Sequence, residues 1–432
     1  MITRENFIAI IWGLFYYSLL TLVYTEIITV YWGYFNFEND SNSTRKLLAD
    51  ILYFLSLLLL VVHGGVDRVK RFYLLLLFLF TIAPLIVYFK FNSKANIGGL
   101  WVYLYQYVLI ILGLKIRMFN SFVVFQRSFS FRSLLLFLIL LTLIPFVILF
   151  LKGGMSNWNL NPELVYDFRE SESSKFLLTG YMAYLTMWSL VIFANFLLLY
   201  FYVSQKYFIV FGVVVFYFLW YGMTGHKSFL MYPIFSIVIF HVLRSKSPSI
   251  ILLRFLSILI LFFYLIDVWV LTTPFLTSTF TRRLLFIPAN TAFAYYDFFS
   301  NSGFLYWSNS FMKVFLNYNY EVSPALLVGS YMGDSTMVAN NSFMSTGYMH
   351  LGFLGATFYS LLFVIIVRMA SELSRSSNGE LLVWKIAVLN LPLFQLMTSS
   401  DLFTALLTHG LGVGLLLLSI TKKNGFESSR HI

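Results

Sequence analysis

The chain has 432 residues, of which 59% are hydrophobic and 11% charged, with a formal net charge of +11 and no cysteine. Soluble proteins carry about 25% charged residues. A soluble domain could not hide this much apolar surface behind so few charges, and without cysteine there are no disulfides or thiolate metal sites.

The apolar runs are almost continuous, as in 134–151, and do not alternate with polar residues as the strands of a membrane barrel do. Helices satisfy their backbone hydrogen bonds internally and can therefore cross hydrocarbon. The expected fold class is an all-α polytopic membrane protein, forming one integral membrane domain over 1–432.

About twelve runs approach the roughly 20 residues that a transmembrane helix needs. The predicted spans are 7–32, 46–63, 72–90, 99–116, 134–151, 177–203, 208–223, 229–243, 251–272, 352–369, 381–398 and 403–420. The two shortest, 208–223 and 229–243, are the weakest predictions. The first run follows Met1 without a small-residue cleavage site, which predicts a first span and not a removed signal.

The loop charges predict the orientation of these spans. With both termini in the cytoplasm, most of the 29 Lys and Arg residues fall on the cytoplasmic side, as the positive-inside rule requires. This N-in, C-in topology places a middle loop, 152–176, and a long loop with short helices, 273–351, outside. The surplus positive charge is then an orientation signal, and nucleic acid is not an expected partner.

Cations near the outward surface are candidates for binding phosphate. Arg282 and Arg283 follow a predicted span, and guanidinium groups match phosphate oxygens. Lys227 lies in the sequence Gly-His-Lys-Ser, 225–228, between two closely spaced spans. The alternative for each is an interfacial anchor at the lipid headgroups.

The run 288–300 predicts a short helix in the long loop. Tyr295 and Tyr296 lie on two neighbouring stripes of this helix, with Asp297 beside them. One interpretation is an aromatic shelf for sugar rings, with Asp297 bonding to hydroxyl groups. The alternative is an amphipathic helix lying in the membrane interface.

The end of the long loop is rich in glycine and uncharged polar residues. Tyr331 and Asn341 are candidates for binding a sugar, and Asp334 is a candidate general base or a turn cap. His350 is a candidate base or ligand at the start of the next span. A structural histidine is the alternative, because no orienting group lies near it in the sequence. No histidine pair has metal-site spacing, so no metal is expected.

Several of these features together resemble the bacterial O-antigen polymerases, which join oligosaccharide repeat units on the periplasmic side of the inner membrane. They are 225–228, Arg282-Arg283 with Pro288, the aromatic run 295–299, the glycine-rich run 329–334, Asn341-x-Phe343, and Gly347-Tyr348 followed by Gly352 and Gly355. The resemblance extends over the whole layout of spans and loops.

The resemblance implies glycosyl transfer between two undecaprenyl-diphosphate-linked oligosaccharides, without a nucleotide sugar or another cofactor. It implies a multi-pass inner-membrane enzyme whose site faces the periplasm, with membrane lipid around it and a polysaccharide chain-length regulator as a further candidate partner. Functional arginines of the family lie in outward loops, which points to Arg169 and to Arg282 or Arg283. Lys227 stands where relatives often have a basic residue.

The chemistry of this transfer agrees with the candidate residues. The leaving lipid diphosphate needs preorganised cations, and the attacking sugar hydroxyl needs a base or polar acceptor. Asp334, Asp297 and His350 are the candidates, in that order. The alternatives are an O-antigen ligase and a flippase for lipid-linked oligosaccharides. A membrane O-acetyltransferase is disfavoured, because the inner loops offer little for an acyl donor.

Overall fold

The computed structural model describes residues 3–62, 67–116, 130–156, 158–161, 168, 178–375 and 379–421. Within these ranges every regular element is helical and no strand occurs. The α-helices are Arg4–Val23, Thr29–Trp32, Ser43–Val61, Arg68–Leu77, Ala83–Phe91, Ile97–Lys115, Phe131–Leu149, Tyr181–Trp188, Ala194–Val203, Tyr207–Thr224, Ser228–Arg244, Pro248–Ile266, Phe275–Thr277, Ile287–Ser302, Pro324–Tyr331, Phe343–Arg375, Glu380–Thr398, Leu402–Leu407 and Leu411–Ile420.

Short stretches of other helix types connect several of these elements. The π-helical stretches are Tyr24–Ile28, Phe78–Ile82, Phe150–Gly154, Ser189–Phe193, Asp267–Leu271 and Ser278–Phe286, and the 3₁₀ turns are Gly33–Phe35 and Phe311–Val314. Most of the π-helical stretches join two α-helices into one longer apolar element. The helical class predicted from composition is therefore confirmed for the described residues.

Among the described residues, ten helices are long and apolar enough to cross a membrane. The two predicted spans that are not among them are 46–63 and 229–243. The first corresponds to Ser43–Val61, which carries Arg45, Lys46 and Asp50 near its start. The second corresponds to Ser228–Arg244, which has only 17 residues.

Helix ends follow from local chemistry. Thr3, Asn42, Asp67 and Asn96 each accept a backbone N–H at the start of a helix, as N-cap residues do. Gly303 (φ 84°) follows the helix Ile287–Ser302 in a conformation that glycine adopts without steric cost. The predicted helix 288–300 is thus confirmed, with slightly wider limits.

The chain forms two compact units. The first comprises Met1–Met118, Lys246–Arg368 and Gln395–Leu402, and the second comprises Phe119–Ser245, Met369–Phe394 and Phe403–Ile432. The central element of the first unit is Arg68–Phe91, whose apolar stretch is completely buried. All the candidate residues of the long loop, 273–351, belong to the first unit.

The helix Ile287–Ser302, called here the loop helix, is fixed to this central element. The Tyr88 hydroxyl donates to Asn290 Oδ1 at 3.0 Å, and Asn290 Nδ2 donates to the Phe35 carbonyl at 2.9 Å. The Tyr103 hydroxyl also donates to the Ala292 carbonyl at 2.6 Å. These buried bonds hold the loop helix against the membrane-spanning bundle.

The element Phe343–Arg375, called here the bent helix, reverses direction near its start. Its backbone leaves helical geometry at Leu351 (φ −149°) and Gly352 (φ 57°). The rings of Phe343 and Phe363 stack at 4.6 Å, although a straight helix would separate them by about 30 Å. The segment 343–350 is therefore folded back against the long part and is buried throughout.

The second unit has its own apolar core, formed by Leu149, Leu190, Ala194, Phe216, Tyr217, Trp220, Met223 and Phe229. Two of its helices, Tyr207–Thr224 and Ser228–Arg244, are joined by a tight turn at Gly225 (φ 67°). Lys227 is the last residue of this turn, directly before the second helix.

Candidate functional site

Asp297 projects from the loop helix into a partly buried, aromatic environment. Loss of hydration raises the pKa of this half-buried carboxyl above its ordinary value, and a hydrogen bond from Asn96 offsets part of the effect. Its charge also adds to burial in raising the pKa of Tyr331. A carboxyl group with a raised pKa is a better proton acceptor at neutral pH.

Of two further predicted sugar contacts near Asp297, Tyr331 is exposed and Tyr296 is partly buried. Tyr296 packs on Tyr348 with ring centroids 5.0 Å apart, and the Tyr348 hydroxyl bonds with Ser300 Oγ at 2.9 Å. Tyr331 is 52% exposed and meets the edge of Phe298. These rings form a surface on which the apolar face of a sugar can stack.

The other two predicted sugar contacts, Tyr295 and Asn341, are buried. Tyr295 is 2% exposed and belongs to the core beneath the loop helix. Asn341 Nδ2 donates to the Thr291 hydroxyl at 2.7 Å, and Asn341 Oδ1 accepts the Ser342 N–H. Both residues hold the loop helix in place, since one stripe of the helix faces the core.

The two adjacent arginines differ in environment. The guanidinium of Arg282 lies 4.4 Å from the ring centroid of Trp32 and donates to Ser278 Oγ at 3.1 Å. Arg283, the next residue, is exposed. Arg282 is therefore the more preorganised cation of the pair, because stacking on indole restricts its side chain.

The other two predicted cations lie elsewhere in the chain. Lys227 is a half-buried residue of the second unit. Arg169, in the middle loop, lies outside the described residues. The roles predicted for both remain predictions.

Asp334 caps a turn. Its Oδ1 accepts the Thr336 N–H at 2.9 Å and the Thr336 hydroxyl at 2.7 Å, and these bonds lower the pKa of Asp334. The turn is tight, because a Cβ atom at Gly329 would lie 2.0 Å from the Met337 carbonyl oxygen. A lowered pKa makes a weaker base, so the geometry favours the turn cap over the general base.

His350 is 2% exposed and is held by the segment 305–307. Its Nδ1 accepts the backbone N–H of Trp307 at 3.2 Å, and the two rings stack at 5.0 Å. With Nδ1 occupied as an acceptor, the neutral imidazole carries its proton on Nε2. The Nδ1 lone pair of His350 is therefore already used as an acceptor. His350 can donate a hydrogen bond through Nε2 and position its acceptor.

The partner of His350 is Asp401, which precedes the helix Leu402–Leu407. Asp401 Oδ2 lies 3.8 Å from His350 Nε2, and its side chain is 22% exposed. Oδ2 also accepts the Tyr359 hydroxyl proton at 2.9 Å, and Tyr359 Oη accepts the indole N–H of Trp307 at 2.9 Å. Asp401 is thus a partly exposed carboxylate that is hydrogen-bonded by Tyr359 and faces His350 at a distance longer than a hydrogen bond.

The segment that holds this network is strained. Tyr306 (φ 50°) and Trp307 (φ 58°) both adopt the left-handed region, which costs a non-glycine residue on the order of 1 kcal/mol or more. Hydrogen bonds of the Leu305 and Tyr306 N–H groups to the Met349 and His350 carbonyls hold the conformation. Strain of this kind concentrates at functional sites.

The sequence did not predict Asp401, Tyr359 or Trp307 as site residues. The available signal was that Asp401 is the acid of a short polar joint, 399–401, between two apolar helices. His350, near the end of the long loop, faces this carboxylate at 3.8 Å. The long loop and the joint 399–401 therefore contribute to one neighbourhood in the first unit.

The helical architecture, with ten helices able to cross a membrane among the described residues, is that of a polytopic membrane protein. No protein-family model matches the chain, and no curated protein or solved structure shows significant similarity to it.

Replacing Asp297 or Asp334 with asparagine is predicted to shift the unfolding temperature in opposite directions. Because the folded-state pKa of Asp297 is raised, its ionisation opposes folding at neutral pH, so Asp297→Asn should raise the thermal unfolding temperature at pH 7. The gain should shrink as the pH falls through the raised pKa and vanish below about 3.9. If Asp297 bonds to substrate hydroxyls, the same variant should lose activity.

Asp334→Asn is the matched control for this measurement. Its lowered pKa means that the ionised carboxylate stabilises the fold above its ordinary pKa, and this contribution is lost as the pH falls through the lowered value. The substitution should therefore lower the unfolding temperature at pH 7. A stability loss in Asp297→Asn at neutral pH would show that its ionised form is held in place after all.

Proposed function

We propose that this chain is an O-antigen polymerase, a glycosyltransferase that joins undecaprenyl-diphosphate-linked oligosaccharides. The observation that supports it most directly is the partly exposed Asp401 carboxylate, which accepts a hydrogen bond from Tyr359 and faces His350 of the long loop. A transferase needs such a proton acceptor for the attacking hydroxyl, whereas a flippase does not.

In the proposed reaction, an acceptor sugar hydroxyl transfers its proton to Asp401 as its oxygen attacks the anomeric carbon of the donor. The bond from that carbon to the diphosphate breaks, and the lipid diphosphate leaves with the bonding electrons. Arg282 stabilises the developing negative charge. Tyr296, Tyr331 and Asp297 bind the sugars, by stacking and by hydrogen bonds to hydroxyl groups.

The proposal includes an orientation. Both termini lie in the cytoplasm and 273–351 faces the periplasm of a bacterial inner membrane, in an arrangement of about twelve spans. The loop charges support this orientation. In this arrangement Ser43–Val61, which is charged near its start, and Ser228–Arg244, which is short, complete the twelve spans.

The phenotype of a gene deletion tests the polymerase against its alternatives. Loss of a polymerase should leave lipopolysaccharide that carries a single repeat unit. Loss of a ligase or a flippase should leave lipopolysaccharide without any O-antigen. The length distribution on a gel distinguishes these outcomes, and a complete absence of O-antigen contradicts the polymerase proposal.

Arg282→Ala should lower kcat/KM for the lipid-diphosphate donor about tenfold or more, the value of a charge-assisted hydrogen bond. Arg283→Ala is the matched control, because this neighbour is exposed while Arg282 is stacked on Trp32. Steady-state kinetics on purified, lipid-linked repeat units measure both variants. Equal effects of the two substitutions would indicate a general surface charge and not a diphosphate site.

A further inference from the structure

A cavity in the first unit lies away from the long loop. Its volume is about 350 Å³, a size that suits small-molecule ligands. The helices Arg4–Val23, Arg68–Leu77 and Pro248–Ile266 begin at it, and Ser43–Val61 ends there. The cavity therefore lies at the level where three candidate spans start.

Positive charge predominates at this cavity. Among the described residues, Arg68, Arg71 and Lys246 line it together with one carboxylate, that of Glu5. Glu5 Oε1 accepts the Ser247 hydroxyl at 2.7 Å, which fixes the carboxylate at one wall. Three cations against one anion leave a local excess of two positive charges, and the ligand that this charge selects is an anion.

The uncharged lining is mostly apolar. It consists of the polar residues Asn6, Ser247 and Ser249 and of the apolar residues Ala9, Leu60, Val61, Leu75, Pro248, Ile250 and Leu253. A soluble phosphate gains nothing from such a surface, whereas a lipid places a phosphate among cations and its glycerol and first methylenes against apolar side chains. Basic pockets between transmembrane helices at the cytoplasmic surface bind anionic lipid headgroups in this manner.

We propose that this cavity binds the phosphate headgroup of an anionic phospholipid at the cytoplasmic surface, with Arg68, Arg71 and Lys246 as its ligands. A lipid headgroup and a soluble phosphate ester would present the same phosphate group to these cations. The apolar side chains of the lining favour the lipid. The site is separate from the sugar chemistry, and it binds membrane lipid whatever reaction the long loop supports.

The test measures the affinity of the purified full-length protein for fluorescent phosphatidylglycerol in micelles of neutral detergent. Each cation near an anionic lipid contributes about fivefold in affinity. The double variant Arg68→Gln with Arg71→Gln should therefore bind about 25-fold more weakly. Arg132→Gln is the matched control, because Arg132 is also an exposed cation at the start of a candidate span but does not line the cavity.

Glu5→Gln should change the affinity for phosphatidylglycerol in the opposite direction. Removal of this lining carboxylate should tighten phosphatidylglycerol binding about fivefold, and this result does not depend on the folding of the double variant. Fluorescent phosphatidylcholine should bind weakly to every variant. The proposal is overturned if Glu5→Gln fails to tighten binding, if both lipids bind equally, or if millimolar inorganic phosphate displaces phosphatidylglycerol completely.

Discussion

Asp401→Asn is expected to lower the rate of glycosyl transfer by about 10²–10⁴-fold, the contribution of a positioned general base. Asparagine keeps the size of the side chain and an oxygen that accepts the Tyr359 hydroxyl proton, so the fold should be retained. What it loses is the ability to take up the proton of the attacking hydroxyl. The rate of chain extension from purified lipid-linked repeat units measures the effect.

Asp334→Asn is the control for this loss, because Asp334 is a carboxylate of the same unit that caps a turn. It should keep most of the transfer activity. A His350→Gln variant should give an intermediate rate, since His350 positions Asp401 without accepting the proton itself. A normal transfer rate in Asp401→Asn would contradict the proposed mechanism. A large loss of transfer rate in Asp334→Asn would indicate that Asp334 is the general base.

Gly355→Ala is expected to prevent the bent helix from forming. A Cβ atom at Gly355 would lie 2.1 Å from the backbone oxygen of Gly347, which cannot move away as a flexible side chain could. Overpacking in a buried region typically costs about 1–3 kcal/mol, and a backbone contact this short belongs at or above the upper end of that range. The yield of monodisperse protein in detergent and its unfolding temperature report the effect.

Gly212→Ala is the matched control, because Gly212 lies inside the helix Tyr207–Thr224 and a Cβ atom there meets nothing within 4 Å. It should leave the protein unchanged or stabilise it by up to about 1 kcal/mol, the helix propensity difference. If Gly355→Ala folds as well as Gly212→Ala, the close contact of the two glycines is not needed for the bent helix.

The helical class and the loop helix followed from sequence because both depend on local patterns. Continuous apolar runs report membrane helices directly, and Pro288 near the start of a predicted helix marks its beginning. The sequence did not show which stripe of the loop helix faces the core. Tyr295 and Tyr296 are chemically alike, and only packing against the core decides that Tyr295 is fully buried while Tyr296 is partly buried.

The central pair of the site depends on contacts that no local pattern records. His350 has no orienting group near it in the sequence, and its partner Asp401 comes from a joint after the next long helix. The contact of Trp307 with His350 depends on two successive left-handed residues, which local propensity disfavours for tyrosine and tryptophan. The network was therefore visible only in three dimensions.

The bent helix has a consequence for the order in which the protein is made. The folded-back segment 343–350 would be about 12 Å long as a helix, too short to enter a bilayer as an independent span. It can settle against its neighbours only after the ribosome has synthesised the longer part of the bent helix, including Phe363. Asp401 is synthesised later still, after Glu380–Thr398. A nascent chain arrested before that point would already contain the earlier membrane helices, but His350 would still lack its partner Asp401.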